Sequence, residues 1–387
     1  MVDPRFDIQL DEVRSRPRGI KWGRGGPDVL AAWVADMDFA IAEPIRNAVT
    51  EMWGRSDIGY SRRGDDLGPV LAARAAKLWG WELDPELVVP TADVLQGVWN
   101  NIYVHSERGD GVAMQTPIYH PFLTAIKDTE RSLVDNPLLT TDDSWELDVD
   151  GLRTVIDGRT RIMLLCNPHN PSGRAFRRDE LEALAEVVAE HDLIVISDEI
   201  HADLLFPGVT HTCFASLPGM GERTITLTSA TKAFNLAGIR TAVAVFGTPA
   251  LKETWDKTSS FLLGHVNTPG IEATITAWED PGAQEWLDAL MVQLEANRDR
   301  LVEFAGALPG VEIRTPDSTY LAWLDCRALP IESSPAGYFL EHAGLDFNDG
   351  AVFGTNGPGH VRLNFATGPS ILEQILERFG NAVAALG

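Results

Sequence analysis

The sequence predicts an α/β protein with a mostly parallel β-sheet covered by helices on both faces, followed by a smaller α+β domain. Three observations lead to this prediction. Short, nearly continuous apolar runs recur along most of the chain, they alternate with helical patterns, and a long amphipathic helix begins near residue 283. Continuous apolar runs indicate strands buried on both faces, and strands alternating with helices indicate parallel pairing.

Five of the apolar runs predict strands of the main sheet. In each of them nearly every side chain is apolar or small, and they are residues 111–116, 161–166, 193–197, 224–229 and 241–246. Between the second and third runs, residues 177–192 predict a helix. Leu181, Leu184 and Val188 fall on one face of it, which would pack against the sheet.

The pattern changes near residue 283, which predicts a division of the chain into three parts. We expect residues 1–44 to form an N-terminal segment that joins the small domain. Residues 45–282 are expected to form a large, ligand-binding domain. Residues 283–387 are expected to contain a long linking helix and the small α+β domain.

Composition excludes several function classes. The chain has 387 residues, with 32 Lys and Arg against 56 Asp and Glu, and therefore a net charge of −24. Nucleic acids and anionic membranes are also negative, so no general affinity for either is expected. Cys166, Cys213 and Cys326 are odd in number and far apart, so neither a disulfide framework nor a cysteine zinc site is predicted.

The expected compartment is the cytoplasm. The N-terminal residues contain no apolar run suited to a signal peptide. No stretch approaches the roughly 18 apolar residues expected of a membrane span.

Polar groups follow three consecutive predicted strands. The second strand is followed by "NPHNPSG" (167–173), the third by "DEIH" (198–201), and the fourth by the stretch that contains Lys232. In parallel sheets, ligands bind beyond the carboxyl ends of the strands, so an amide, a carboxylate and an amine are expected there together. A dinucleotide-binding dehydrogenase would need a GxGxxG turn after its first strand, and none is present.

The three groups fit one cofactor, pyridoxal 5′-phosphate. The amine of Lys232 can condense with its aldehyde, and the carboxylate of Asp198 can keep its pyridine nitrogen protonated. The amide of Asn170 can bond its phenolic oxygen. Taken singly, the lysine could be solvated and Asp198 could cap a helix, so the prediction rests on the combination.

The phosphate group of such a cofactor is expected near two segments. Arg240 would supply charge-assisted hydrogen bonds, with the hydroxyl groups of Ser229 and Thr231 beside it. Residues 88–97 predict the start of a helix with Thr91 as its N-cap. The free backbone amides of the first turn of this helix could hold the same phosphate. These amides are those of Val94 and Leu95.

No metal site is predicted. His169 and His201 stand near the strand ends, but neither has a second candidate ligand at helical i+4 spacing.

Several motifs together resemble the fold type I pyridoxal-phosphate enzymes, the class I/II aminotransferase superfamily. Besides the strand-end motifs, they are "WVADMDF" (33–39), "IGYS" (58–61), "TPIYHPF" (116–122) and "RLNFA" (362–366). Within that superfamily the chain looks most like the MalY/PatB group of cystathionine β-lyases. "SDEIH" (197–201) is typical of this group, whereas aminotransferases usually have tyrosine at the position of His201.

The resemblance implies a seven-stranded, mostly parallel sheet and a set of cofactor-binding residues. Lys232 would carry the cofactor, Asp198 would face its pyridine nitrogen, and Asn170 would bond its phenolic oxygen. Tyr119 would stack on the pyridine ring, and His201 is also expected near the cofactor.

The resemblance also implies residues that bind substrate. Arg362 would bind the α-carboxylate of an amino acid, with Asn170 beside it. Trp33, Ala35 and Asp36 would line the substrate entrance. Tyr60 is expected to reach across a homodimer interface to the neighbouring subunit's phosphate site.

Two positions depart from the pattern of the group. Arg240 resembles the phosphate-binding arginine of aminotransferases, whereas lyases of this group often have another residue there. Asp93 stands where the family usually has glycine next to the phosphate. Its carboxylate would repel the phosphate if it faced inward, so we expect it to point outward.

The resulting functional expectation is a carbon–sulfur β-lyase. It would convert L-cystathionine or related cysteine S-conjugates into pyruvate, ammonia and a thiol. One alternative is an amino-acid aminotransferase, because the two activities share the same catalytic residues. A further alternative is a regulator that retains the cofactor and binds a protein partner.

Overall fold

The computed structural model describes residues 3–16, 19–60 and 63–387 of the chain. Ser61, the last residue of the 58–61 motif, lies outside the described residues. The same holds for four positions of the predicted N-terminal segment, residues 1, 2, 17 and 18.

The described residues form fourteen α-helices. They are α1 Leu10–Arg14, α2 Ile20–Gly23, α3 Glu43–Gly54, α4 Leu67–Trp79, α5 Val94–His105, α6 His120–Asp128, α7 Val149–Val155, α8 Arg178–Glu190, α9 Pro249–Asp256, α10 Ser260–Leu263, α11 Thr268–Glu279, α12 Pro281–Gly306, α13 Pro335–Ala343 and α14 Pro369–Ala384. Within this part of the chain, no helix is both long enough and apolar enough to cross a membrane.

The same residues form fifteen strands. They are β1 Leu30–Ala31, β2 Val88–Thr91, β3 Gly111–Thr116, β4 Ser132–Pro137, β5 Leu139–Thr140, β6 Trp145–Glu146, β7 Thr160–Cys166, β8 Ile194–Asp198, β9 Thr224–Thr228, β10 Ala242–Phe246, β11 Glu312–Ile313, β12 Leu321–Asp325, β13 Leu345–Asp346, β14 Asn348–Asp349 and β15 His360–Asn364.

The main sheet has seven strands in the order β2-β10-β9-β8-β7-β3-β4. Strand β10 runs antiparallel to both of its neighbours, while the other neighbouring pairs are parallel. The prediction of a mostly parallel, seven-stranded sheet is therefore confirmed. The five strands predicted from apolar runs all belong to this sheet, with ends shifted by no more than one residue.

Both faces of the sheet are buried, which explains why its strands are apolar without alternation. In β7, Ile162 and Leu164 pack on one side with α5, α6 and α9. Met163 and Leu165 pack on the opposite side with α7 and α8. The helical face predicted in α8 is buried there, since Leu181, Leu184 and Val188 are inaccessible to solvent.

A second, four-stranded antiparallel sheet has the order β11-β12-β15-β14. It follows α12, the long helix expected near residue 283, which begins at Pro281 with Asp280 as its N-cap. The N-terminal segment contacts this C-terminal part, because β1 pairs in parallel with β13. The domain boundaries at residues 44 and 282 stay a prediction.

Candidate active site

Strands β7, β8 and β9 are parallel neighbours, so their carboxyl ends meet at one edge of the sheet. Asp198 is the last residue of β8, and its carbonyl accepts the N–H of Asn167, which follows β7. Asn170 lies further along that loop, and Lys232 lies four residues beyond the end of β9. The topology thus brings the predicted amide, carboxylate and amine together.

These side chains line one cavity of about 140 Å³. One water molecule requires about 10–15 Å³ of such volume, so the cavity is large enough for an organic ligand. Ten of the predicted site residues are in its lining, namely Ala35, Val94, Leu95, Tyr119, Asn170, Asp198, His201, Thr231, Lys232 and Arg240. Three further lining residues were not predicted to face it, namely Asp93, Ile200 and Ala237.

The amine of Lys232 is set up to lose its proton. Its Nζ donates a hydrogen bond of 2.8 Å to the carbonyl oxygen of Ala35. Burial lowers the pKa of Lys232 to about 8, an effect opposed by Asp36 and reinforced by the positive charge of Arg362. A neutral amine, which is the nucleophilic and basic form, is therefore accessible near neutral pH.

The carboxyl group of Asp198 is 5% exposed and accepts the N–H of Ile200 through Oδ1 at 3.1 Å. Burial raises its pKa to about 7, and the adjacent Glu199 adds to the rise. A cationic partner inside the cavity would restore its full ionisation. This environment suits a carboxylate that pairs with a protonated ring nitrogen.

Arg362, on β15, is buried behind the cavity. Its Nη1 donates to Asn170 Oδ1 and its Nη2 to the carbonyl of Trp33, both at 2.9 Å. Burial lowers its pKa to about 10, so it keeps its charge at neutral pH. Since the oxygen of the Asn170 amide is bound to Arg362, only its NH₂ group remains to donate to a ligand.

The segment 33–39 is held beside Lys232 by side chains that bond its backbone. Five consecutive carbonyls, from Trp33 to Met37, accept these bonds. The donors are the side chains of Lys21, Lys232, Asn235, Tyr320, Arg362 and Asn364. The predicted entrance residues Trp33, Ala35 and Asp36 belong to this segment, and Ala35 is the one that lines the cavity.

Four of these donors, Lys21, Asn235, Tyr320 and Asn364, were not predicted from the sequence. Asn364 follows Arg362 by two positions on β15, a spacing that puts both side chains on one face of the strand. That spacing within "RLNFA" could have identified Asn364. No local pattern marked Asn235 or Tyr320, because their partners are distant in sequence.

The start of helix α5 corrects two expectations. Its N-cap is Asp93 and not Thr91, since Asp93 Oδ1 accepts the N–H of Gln96 at 2.7 Å. Thr91 is the last residue of β2, and its hydroxyl bonds the carbonyl of Asp93 at 3.2 Å. Asp93 also does not point outward, because it lines the cavity and forms an ion pair with Arg240.

The hydroxyl groups expected near the phosphate differ in orientation. Thr231 lines the cavity. Ser229 is 3% exposed and is absent from the lining, and its Oγ lies 2.6 Å from the carbonyl oxygen of Thr241 and 2.9 Å from Thr231 Oγ1. Arg240 has a left-handed backbone with φ of 57°, and its side chain is 66% exposed.

His201 and Tyr119 both line the cavity. His201 is 2% exposed, its Nδ1 has no hydrogen-bond partner within the described residues, and burial lowers its pKa to about 3. The ring is therefore neutral. Tyr119 precedes α6 and contacts Phe122 edge to face, and burial raises the pKa of its hydroxyl.

Tyr60 does not belong to the cavity of its own chain. It is fully exposed and lines a separate surface cleft with Ile58, Pro90 and His265.

One buried cluster of candidate metal ligands occurs in the described part of the chain, formed by Glu199, His211 and Cys213. His211 Nε2 lies 2.8 Å from Glu199 Oε2, so these two groups already bond each other. His169 and His201 are not members of the cluster.

Comparison with known proteins gives consistent matches over nearly the whole chain. A family model described as aminotransferase class I and II matches residues 66–379. Cystathionine beta-lyase PatB of Bacillus subtilis is 32% identical, covering 96% of this chain and 98% of the relative. Cystathionine beta-lyase of Corynebacterium glutamicum is 32% identical, with coverage of 97% and 99%. The structure of a PLP-bound C-S lyase from Staphylococcus hominis matches with a TM-score of 0.90 at 29% identity, covering 98% of each chain.

Proposed function

The chain belongs to the class I and II aminotransferase family, and on this premise we propose that it is a pyridoxal-phosphate-dependent carbon–sulfur β-lyase. Its substrate is L-cystathionine or a related cysteine S-conjugate, which it converts into pyruvate, ammonia and a thiol. Full-length relatives named cystathionine beta-lyase support this choice within the family.

The observation that carries the proposal is the convergence of Lys232, Asp198 and Asn170 in one cavity at the ends of three neighbouring strands. These residues fit pyridoxal phosphate chemically. The lowered pKa of Lys232 makes available the neutral amine that bonds an aldehyde. The raised pKa of Asp198 shows that its buried carboxyl group has no adequate cationic partner, and a protonated pyridine nitrogen would be such a partner. The free NH₂ group of Asn170 matches a phenolic oxygen.

When bound, the cofactor supplies an aldehyde that joins the substrate's amino group and a ring that withdraws electrons from the α-carbon. Asp198 would pair with the ring nitrogen and keep it protonated, and Asn170 would donate to the phenolic oxygen, while His201 lines the same cavity. The neutral amine of Lys232 accepts the proton from the substrate α-carbon. Tyr119, which lines the cavity, would hold the ring in place by stacking.

The substrate's α-carboxylate is bound by Arg362, whose guanidinium is already oriented by Asn170 and by the carbonyl of Trp33. A rigid guanidinium can bind a carboxylate with two parallel hydrogen bonds. Trp33, Ala35 and Asp36 then border the path by which the side chain of the substrate enters. Binding at this end directs the α-hydrogen toward Lys232.

Elimination begins when the α-proton passes to Lys232 Nζ and the electron pair of the C–H bond moves toward the β-carbon. The bond between the β-carbon and sulfur breaks, and sulfur leaves with its electron pair as a thiolate. Water then releases the three-carbon product as pyruvate and ammonia. The thiolate takes up a proton, so no external oxidant or reductant is required.

Transamination is the second candidate, and the presence of Arg240 favours it. This arginine lines the cavity, as expected for the phosphate-binding arginine of aminotransferases. The two reactions share α-proton removal and differ in whether a leaving group departs from the β-carbon. The relatives named as lyases weigh against transamination as the main reaction.

The two candidates can be separated with purified protein, pyridoxal phosphate and L-cystathionine in the absence of a keto-acid acceptor. A lyase should form pyruvate and free thiol in equal amounts over many turnovers. An aminotransferase should stop within one turnover, with the cofactor in its amine form. Sustained turnover without thiol release would contradict the lyase proposal.

We also propose a homodimer in which Tyr60 reaches the neighbouring subunit's phosphate site. The full exposure of Tyr60 in the single chain supports this arrangement, because large aromatic side chains are usually buried. A cytoplasmic location is supported by three cysteines that are buried and unpaired. The domain division at residues 44 and 282 remains part of the same proposal.

A further inference from the structure

We propose that Asp93 acts as an internal anion that competes with the cofactor phosphate for Arg240 and weakens phosphate binding. This inference rests on the proposed function, because it assumes that the cavity receives pyridoxal phosphate. It assigns to Asp93 a role in setting cofactor affinity.

The starting point is the orientation of the Asp93 carboxylate. Its Oδ1 accepts the backbone N–H of Gln96, and its Oδ2 forms an ion pair with Arg240 Nη2. The side chain of Gln96 bonds back to the N–H of Ala92 at 2.8 Å. Asp93 is therefore fixed at the start of α5 and cannot turn away without losing the helix cap.

The donors bound by Asp93 are of the two kinds that a phosphate requires at this place. One is an N–H group of the first helical turn, and the other is the guanidinium of Arg240. The N–H groups of Val94 and Leu95, the first two of α5, have no acceptor within the helix and stay available to a ligand. A bound phosphate would thus use these amides and share Arg240 with Asp93.

The charges around the cavity indicate the direction of the effect. Arg240 is placed at the start of α5 by its ion pair with the N-cap Asp93, whereas Lys232 and Arg362 bond the neutral carbonyls of Ala35 and Trp33. Asp93 neutralises part of the charge of Arg240 and adds a negative charge next to the dianion. Arg240 is 66% exposed, so water screens the pair and the effect is moderate.

Asp93→Asn is the decisive variant. Asparagine caps helices as well as aspartate does, so the variant removes the charge and keeps the cap. After removal of cofactor, the dissociation constants of pyridoxal phosphate and of inorganic phosphate should be measured for the full chain by tryptophan fluorescence. Both ligands should bind roughly two- to fivefold more tightly to the variant, the range expected for an exposed ion pair.

Two controls isolate the phosphate contact. Pyridoxal, which lacks the phosphate, should bind wild type and Asp93→Asn equally. Asp280→Asn removes the same charge from the N-cap of α12, away from the cavity, and should leave all three affinities unchanged. The thermal midpoint of each variant without cofactor reports whether the fold is intact.

Unchanged or weaker phosphate binding by a folded Asp93→Asn variant would overturn the proposal. Weaker binding would mean that Asp93 orients Arg240 for the phosphate. If the wild-type chain bound no pyridoxal phosphate at all, the proposed function itself would fail. That outcome differs from equal dissociation constants for variant and wild type, which would overturn only the role of Asp93.

Discussion

At the scale of single residues, the surroundings of Lys232 determine the pKa of its amine. Burial, more than neighbouring positive charge, lowers its pKa to about 8. Its position after a strand predicts its role, and the burial of its amine explains why a neutral, nucleophilic form is accessible near neutral pH.

Replacing Lys232 by alanine should abolish covalent attachment of the cofactor and the elimination reaction. In the proposed function the amine bonds the aldehyde and accepts the α-proton, so a loss of at least several hundredfold in turnover is expected. Absorbance of the bound cofactor and pyruvate release would measure this. Lys257→Ala, at an exposed position, is the matched control and should retain both. Full activity in Lys232→Ala would refute the assignment.

Asp198 predicts a pH dependence of stability in the cofactor-free protein. Its pKa is about 7 in the folded chain against an ordinary value of 3.8, because burial disfavours the charge. The folded chain therefore holds a proton that the unfolded chain releases. The stabilisation from this proton is complete below about pH 4 and is lost as the pH rises through about 7.

The measurement is the difference in thermal midpoint between wild type and Asp198→Asn from pH 4.5 to pH 7.5, without cofactor. The advantage of wild type should shrink as the pH rises, because the variant has no carboxyl group to titrate. Parallel curves over this range would show that Asp198 does not titrate as described.

At the scale of elements, the segment 33–39 depends on a buried ion pair between its own Asp38 and Lys21 in the preceding chain. Lys21 Nζ, in α2, lies 2.9 Å from Asp38 Oδ2 and also donates to the carbonyl of Asp36. Both charged side chains are at most 3% exposed. The pair fixes the backbone next to Ala35 and therefore affects the site without lining it.

Lys21→Met should destabilise the protein by about 3–5 kcal/mol, because it leaves the charge of Asp38 buried without its cation. Arg55→Met is a matched control, since Arg55 pairs with Glu51 at 3.5 Å on an exposed surface and should contribute less than about 1 kcal/mol. Urea unfolding of both variants gives the comparison. Equal costs for the two substitutions would contradict the structural role of the Lys21–Asp38 pair.

At the scale of the whole molecule, the proposed homodimer predicts complementation between inactive chains. In a dimer of one Lys232→Ala chain and one Tyr60→Ala chain, one site combines an intact Lys232 with an intact Tyr60 from the partner. Two-fold symmetry then predicts about half of the wild-type activity. Co-expression of two differently tagged chains and purification through both tags would provide the mixed dimer.

The two parent homodimers are the controls for this experiment, because neither contains an intact site. Activity of the mixed dimer that does not exceed their mean would exclude a shared site. Sedimentation of the wild-type chain as a monomer at assay concentration would reject the dimer directly.

Much of the fold followed from local sequence signals. The strands of the main sheet were predictable because their apolar runs must be buried on both faces, and α8 was predictable from one apolar face. Lys232, Asp198 and Asn170 were placed correctly at strand ends because parallel strands bring their carboxyl ends to one edge. The start of α5 was less predictable. Thr91 and Asp93 are both good capping residues, and the local sequence does not show that Asp93 is the N-cap.

The sequence by itself determined the α/β class, the strand-end amine, carboxylate and amide, and the family, because these depend on periodicity and on motifs within short segments. Only the tertiary structure decided that Arg362 is oriented by Asn170, that Tyr320 and Asn235 hold the 33–39 segment, and that Asp93 faces Arg240. These contacts join residues far apart in the chain. Their formation depends on packing and charge pairing in three dimensions, which no local pattern encodes.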